Sequence, residues 1–238
     1  MGKVSEDEAK RIYDESIIVN GMAGTTYAFD VFEKTKQTAA IFTLAAHNED
    51  WNRAIELFKN YMAALVAYPE KLLLVESVDD IYRAKNENKF GVILGFQTST
   101  PIGQDWTNLW ILYKLGLRIM QLTYMNRTLC GDGCLEEPDQ GLTYFGKRMI
   151  MVMNQVGILL DLSHCGWKTA EDVLKYTDRP VVCSHTNPYA KCPIKRNFPD
   201  ELIKGVAESG GVMGINAHPS ICTTRDGKSR PDMTVWNI

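Results

Sequence analysis

The stretch Gly157–Pro188, GILLDLSHCGWKTAEDVLKYTDRPVVCSHTNP, decides the fold. Two apolar runs, Ile158–Leu162 and Val181–Cys183, each close on a Ser-His pair, Ser163-His164 and Ser184-His185. Between them Trp167–Tyr176 carries the spacing of an amphipathic helix. The pattern is strand, loop, helix, strand. In a parallel sheet the C-terminal ends of neighbouring strands lie on the same side, so the unit brings two imidazoles to one mouth. Neutral imidazole is a common ligand for zinc-like metals.

Working outward, the chain alternates strands and helices. Ser5–Glu15 reads as a helix capped by Ser5, and Ser16–Asn20 as the first strand. Residues 25–36 read as a loop followed by a helix. Thr38–Leu44 is the second strand, ending near His47, and Asp50–Tyr68 is a helix with one apolar face. Leu72–Val75 reads as a short strand outside the main sheet, followed by a helix over Val78–Lys85. Gly91–Phe96, a helix over Asp105–Leu115 ended by Gly116, and Leu117–Thr123 come next. Tyr124–Gly141 is a long Gly/Asn/Asp-rich loop, of a length that in compact domains is often functional. Asp132 and Asp139 in it read as solvated or turn-forming residues. Thr143–Val156 is a helix. Beyond the two Ser-His strands, Pro199–Ser209 reads as a helix and Gly211–Asn216 as the seventh strand.

Regular β-α steps imply a parallel sheet and favour a (β/α)8 barrel over a doubly wound one. No eighth strand is legible after Asn216, so residues 1–238 read as a single barrel domain that is incomplete at its C-terminus. The 45% hydrophobic content is sufficient for a core, and the net charge of −3, with no basic stripe, argues against nucleic-acid or membrane-surface partners. No run approaches the ~18 apolar residues of a spanning helix. The charged N-terminus has no signal-peptide core, so the six cysteines read as reduced thiols of a cytoplasmic protein. Cys130 and Cys134 lack the second nearby pair that a structural zinc requires.

Several segments in series, RIMQLTY (118–124), GLTYFGKRMIMVMNQVGILLDLSH (141–164), PVVCSHTNP (180–188), KRNFPDELI (195–203) and GGVMGIN (210–216), resemble the renal, or membrane, dipeptidase family of zinc hydrolases, peptidase family M19, in a bacterial branch. The family fold is a (β/α)8 barrel. The resemblance implies that His164 and His185 correspond to two metal ligands, and that Arg196 stands where a guanidinium binds the substrate carboxylate, a task suited to its planar fork. It also exposes departures. Met22 and Gly24 stand in place of the family's first-strand His-x-Asp, Gln97 in place of the carboxylate that bridges two metals, and Tyr124 in place of a substrate-contacting histidine. Two dications about 3.5–4 Å apart repel by roughly 17–19 kcal/mol at an effective dielectric near 20. Without the carboxylates, the expectation is at most one divalent ion, zinc first, held by His164, His185 and Gln97. Arg196 and Tyr124 are then the candidate substrate contacts.

His47 and His218 follow the second and seventh strands and are secondary candidates for the same mouth, with His218 preceding Pro219 in a turn. Asp161, by period two from His164, is expected to point towards the helix layer or into a capping contact, as a structural or supporting residue rather than a base, and no general base is identifiable. The resemblance implies a metallohydrolase that cleaves dipeptides, acts on a small-molecule substrate and is compatible with a homo-oligomer. The alternative is a catalytically impaired relative that binds a small anionic ligand or a partner at the same mouth.

Overall fold

A computed structural model describes residues 4–24 and 34–222. Its parallel strands are β1 (Val19–Asn20), β2 (Ala39–Ala45), β3 (Leu72–Leu74), β4 (Phe90–Phe96), β5 (Leu117–Gln121), β6 (Leu159–Asp161), β7 (Cys183–Thr186) and β8 (Met213–Ile215). The described helices are α1 (Glu6–Glu15), α2 (Trp51–Ala67), α3 (Val78–Asn86), α4 (Asn108–Lys114), α5 (Tyr144–Val156), α6 (Trp167–Tyr176), α7 (Asp200–Glu208) and the short α8 (Pro219–Cys222). Most of the expected loop and helix over residues 25–36 lies outside the described residues.

The sheet runs β1-β2-β4-β5-β6. A bridge between Asp161 and Val182 continues it to the β7-β8 pair. That bridge is supported by Leu162 N–H donating to the Val182 carbonyl (2.7 Å) and Val182 N–H to the Leu160 carbonyl (3.0 Å). The sheet curls back on itself. Gly21, just after β1, sits so close to β7 that a Cβ built on it would lie 2.2 Å from the Ser184 carbonyl oxygen. The result is a parallel α/β half-barrel, an incomplete TIM-type barrel. Among the described residues no ladder joins β8 to β1.

Most elements form where the pattern placed them, and the differences have local causes. β3 belongs to the main sheet: it pairs with Phe90–Val92 at the start of β4, on the edge that β5 takes over from Leu94. The apolar helix begins at Asn108, because the Asp105 carboxylate accepts from the Thr107 N–H (2.9 Å) and holds a turn there. His185 lies within β7 rather than beyond it. α6 has the expected bounds. Gly166 at its start has no capping side chain, so Asp139 from the long loop accepts from the Lys168 N–H (2.7 Å) instead.

Two apolar layers hold the sheet. The outer one packs Phe42, Leu94, Met120, Leu160 and Leu162 under helix residues such as Leu57, Leu109, Met149 and Val173. The inner one joins Ala39, Ile41, Ile93 and Ile119 with Met22 and Val182. Gly95 on β4 leaves room for this layer: a Cβ there would meet Ile119 Cγ2 at 2.8 Å and Ile41 Cγ2 at 2.9 Å.

Because β1 closes against β7 over a bare backbone, Gly21→Ala is expected to destabilise the fold by about 1–3 kcal/mol. A thermal melt checks this. An unchanged midpoint would show that the β1–β7 closure does not hold the barrel.

Candidate functional site

The C-terminal rim collects the chemistry. From β2, Thr43 follows Ile41 at period two onto the inner face, and its hydroxyl donates to Gln97 Oε1 (3.1 Å) with Met22 Sδ at 3.0 Å. Gln97, one residue past β4, turns its Nε2 to His185 Nε2 (3.0 Å). His164 Nε2 lies 2.9 Å from the same His185 atom. His164 has φ +69°, the left-handed region, which a bulky side chain adopts at a cost and which is common at functional sites. That turn carries its ring over the rim. Tyr124 stacks on the His164 ring, with centroids 4.1 Å apart and planes 20° apart, and its other neighbour is His47 at 4.2 Å. The structure thus brings together His164, His185, Gln97 and Tyr124, and adds His47. His218 instead pairs with Ser220 in an exposed turn.

Arg196 is 5% exposed. Its Nη2 donates to the His185 carbonyl (2.6 Å) and its Nη1 to Thr186 Oγ1 (3.2 Å), and among the described residues no carboxylate pairs with it. Two of its five N–H donors are named in these bonds, so the fork retains donors for an anion.

Asp161 corrects the expected orientation. It lies on the inner face, opposite Leu160 and Leu162 of the outer layer, and is fully buried. The period-two argument failed because His164 is beyond the strand, in a turn. The Asp161 carboxylate accepts from Ser163 N–H (2.9 Å), Ser184 N–H (3.0 Å), Gln121 Nε2 (2.8 Å) and the Ser184 hydroxyl. Ser184 Oγ is also 2.7 Å from His185 Nδ1. Asp132 is likewise not solvated. It is 2% exposed, and it bonds the Arg127 guanidinium and the Gln140 N–H (2.6 Å), pinning the long loop beside the rim. Asp139 is turn-forming as expected, bonding the Gly141 N–H (3.0 Å), and caps α6 as well.

Both imidazoles are held neutral. Burial first, then the charges of Arg196, His185 and His47, keeps His164 well below the ordinary histidine range. Burial also lowers His185 to about 4, opposed by the Asp161 charge and reinforced by Arg196. Burial raises the Tyr124 phenol, partly offset by Arg196. It pushes the Cys130 and Cys165 thiols up to about 12; Cys130, Cys134, Cys165, Cys183 and Cys222 are buried thiols outside any disulfide.

A cation fits part of this arrangement. Two Nε2 atoms 2.9 Å apart are both within reach of one ion with N–metal bonds of about 2.0–2.1 Å. His164 Nδ1 has no partner, and His185 Nε2 faces two neighbours at once, so the rings are incompletely satisfied as they stand. Among the described residues no three His, Cys, Asp or Glu side chains group to hold a metal, so the two imidazoles are only part of a ligand set for any ion, and every acceptor direction of Asp161 is used.

A curled parallel sheet with its polar groups gathered at the C-terminal strand ends defines the class, a TIM-type α/β barrel with its site on the face where such barrels carry function. The chain belongs to the membrane dipeptidase family, peptidase family M19, whose model matches residues 7–236. Dipeptidase tcpJ of Claviceps purpurea is 26% identical over 93% of this chain and 51% of its own length. An amidohydrolase from Pseudomonas aeruginosa is 31% identical with a TM-score of 0.83, covering 87% of this chain and 64% of that one. A metallopeptidase from Rhodobacter sphaeroides, solved with a phosphinate mimic of L-Ala-D-Ala, shares the fold at 18% identity and TM-score 0.77, over 90% of this chain and 77% of that one. The chain therefore spans about half the length of the curated relative it matches.

Sequence reasoning missed the parts played by Thr43 and Ser184 and the orientation of Asp161, though not its supporting role. The available signal was the shared inner face of Ile41-x-Thr43 and Val182-x-Ser184, read from the strands rather than from the histidines.

The neutral imidazoles set a pH dependence. Their folded pKa values lie below the unfolded value of about 6.5, so the unfolded chain binds more protons in between and stability rises with pH. Metal-free protein is expected to lose stability as pH falls from about 6.5 towards the His185 value of about 4. Melting midpoints across that window check it. A His164→Asn/His185→Asn double variant should show a shallower slope above pH ~5, where carboxylates, with unperturbed pKa values near 4, stay ionised. Equal slopes would contradict neutral burial.

Proposed function

We propose that this chain supplies the two-histidine part of a metal-dependent dipeptidase site that holds a single divalent ion, zinc first, at His164 and His185. The observation that carries the reading is the 2.9 Å approach of two buried, neutral Nε2 atoms beside a guanidinium that has no carboxylate partner among the described residues. A divalent ion at that position would lower the pKa of bound water and polarise the scissile carbonyl. The remaining work belongs to the chain's own residues.

Arg196 binds the substrate carboxylate with the donors it does not spend on His185 and Thr186. Gln97, oriented by Thr43, presents its amide to the rim, where it donates to a substrate oxygen or, turned over, adds an oxygen ligand. Tyr124 walls the His164 ring and brings its hydroxyl to the mouth. Asp161 does not serve as the general base, because its oxygens already accept four hydrogen bonds. A dipeptide-like anion also suits the charge of the rim: with Arg196 already buried there, a dication is better held once an anion is bound. The buried thiols of Cys130, Cys134, Cys165, Cys183 and Cys222, none in a disulfide, support a reducing compartment, the cytoplasm.

Purified protein assayed on a dipeptide panel is expected to show divalent-metal-dependent hydrolysis that a chelator removes and His185→Ala abolishes. Arg196→Lys keeps the charge but loses the fork, and KM should rise about 10–100-fold, equivalent to about 1.5–3 kcal/mol for hydrogen bonds to a charged group. Chelator-insensitive hydrolysis, or an unchanged KM in Arg196→Lys, would contradict this reading.

A further inference from the structure

We infer that Asp161 acts through Ser184 to fix the tautomer of His185, keeping the ring proton on Nδ1 so that Nε2 turns its lone pair to the rim. The geometry stands by itself; its consequence for metal affinity rests on the reading above.

The direction of each hydrogen bond follows from the groups that make it. An ionised carboxylate only accepts. Ser184 Oγ bonds Asp161 Oδ2, so the single hydroxyl hydrogen is committed to that oxygen. Ser163 Oγ, at 3.4 Å, is the weaker competitor for it. Ser184 Oγ therefore meets His185 Nδ1 at 2.7 Å with a lone pair, and the ring must supply the hydrogen. In a neutral imidazole the other nitrogen is then an acceptor. The far end agrees: the Thr43 hydroxyl reaches both Gln97 Oε1 (3.1 Å) and Met22 Sδ (3.0 Å), the amide oxygen is the stronger acceptor, and with the oxygen so placed the Gln97 amide N–H donates to His185 Nε2 at 3.0 Å. Ser184 and Gln97 thus demand the same tautomer, with His164 Nε2 at 2.9 Å then donating to the same lone pair in the metal-free protein, and it is the one that presents a ligating lone pair at the rim.

Asp161→Asn reverses the polarity without changing the shape. The two backbone amides of Ser163 and Ser184 both donate to Oδ1, so the asparagine oxygen must occupy that place and its nitrogen the place of Oδ2. The nitrogen then donates to Ser184 Oγ, the serine hydrogen turns to His185 Nδ1, and the ring proton moves to Nε2. Gln121 can accommodate the change, since its Oε1 has no partner and a flip of the amide would present it to the new N–H donor. A carboxylate-to-amide change is known to leave a functional histidine in the wrong tautomer in this manner. Asp161 is thus a positioning residue: it acts on the rim through Ser184 and touches no substrate.

The test is 15N NMR of histidine-labelled, metal-free protein at neutral pH, using long-range proton–nitrogen correlations that separate Nδ1–H from Nε2–H rings. The chain has four histidines, so His185 is assigned by the pattern that disappears in His185→Gln. The wild type should show the Nδ1–H form, Asp161→Asn the Nε2–H form, and Ser184→Ala a mixture of both. Zinc titration of Asp161→Asn should give an affinity about 10–100-fold weaker, the usual effect of disturbing the partner of a ligating histidine. An Nε2–H ring in the wild type, or an unchanged Nδ1–H ring in a folded Asp161→Asn or Ser184→Ala variant, would overturn the inference. If Asp161→Asn does not fold, the wild-type and Ser184→Ala spectra decide. Wild-type protein with the Nδ1–H ring and no zinc binding would support the relay while contradicting the metal reading.

Discussion

The buried carboxylate of Asp161 is the constraint around which the rim is assembled. An ionised group with no exposed surface is costly unless its oxygens are satisfied. Here the compensation comes from four donors, two of them backbone amides on either side of the β6–β7 junction. That matters because β7 and β8 form their own small pair, joined to the long sheet by a short bridge at Asp161 and Val182. Satisfying one charge therefore fixes where the strand carrying His185 lies relative to the strand that leads to His164. The two imidazoles meet as a consequence of that junction, supported by Tyr124 stacked on His164 with His47 tilted against the tyrosine.

Electrostatics then sets what the rim can receive. Both rings are neutral, the one local carboxylate is used up, and Arg196 is buried without an acidic partner. The charges of Arg196 and Asp161 offset one another, and the Arg196 fork keeps uncommitted donors. The uncommitted Arg196 donors favour an anionic ligand. Gln97 and Met22, at positions where the sequence resemblance implies a carboxylate and an imidazole, bring no charge to the rim. Met22 is spent on the inner apolar layer and Gln97 on a hydrogen bond to His185.

Much of this was legible in the sequence because it is written in local pattern. The two Ser-His strand ends, the helix between them and the parallel class all follow from spacing, and α6 has the bounds its periodicity predicts. What was not legible depends on contacts between distant residues. Asp161 was misread because strand periodicity was counted from His164, whose left-handed turn breaks the period; Leu160 and Leu162 were the valid references. Asp132 has the composition of a solvated loop, and only Arg127, Gln140 and Thr169 folding around it make it a buried anchor. β3 looked detached because it is three residues long, yet β4 offers it an edge before β5 arrives.

The central claim is that two neutral histidines at one rim form a seat for a single divalent ion. Calorimetric titration of chelated protein with zinc, carried out beside His164→Asn and His185→Asn variants, tests it most directly. The account predicts a stoichiometry of one ion per chain, lost in either variant. Two tightly held ions, or binding that survives loss of either histidine, would contradict it.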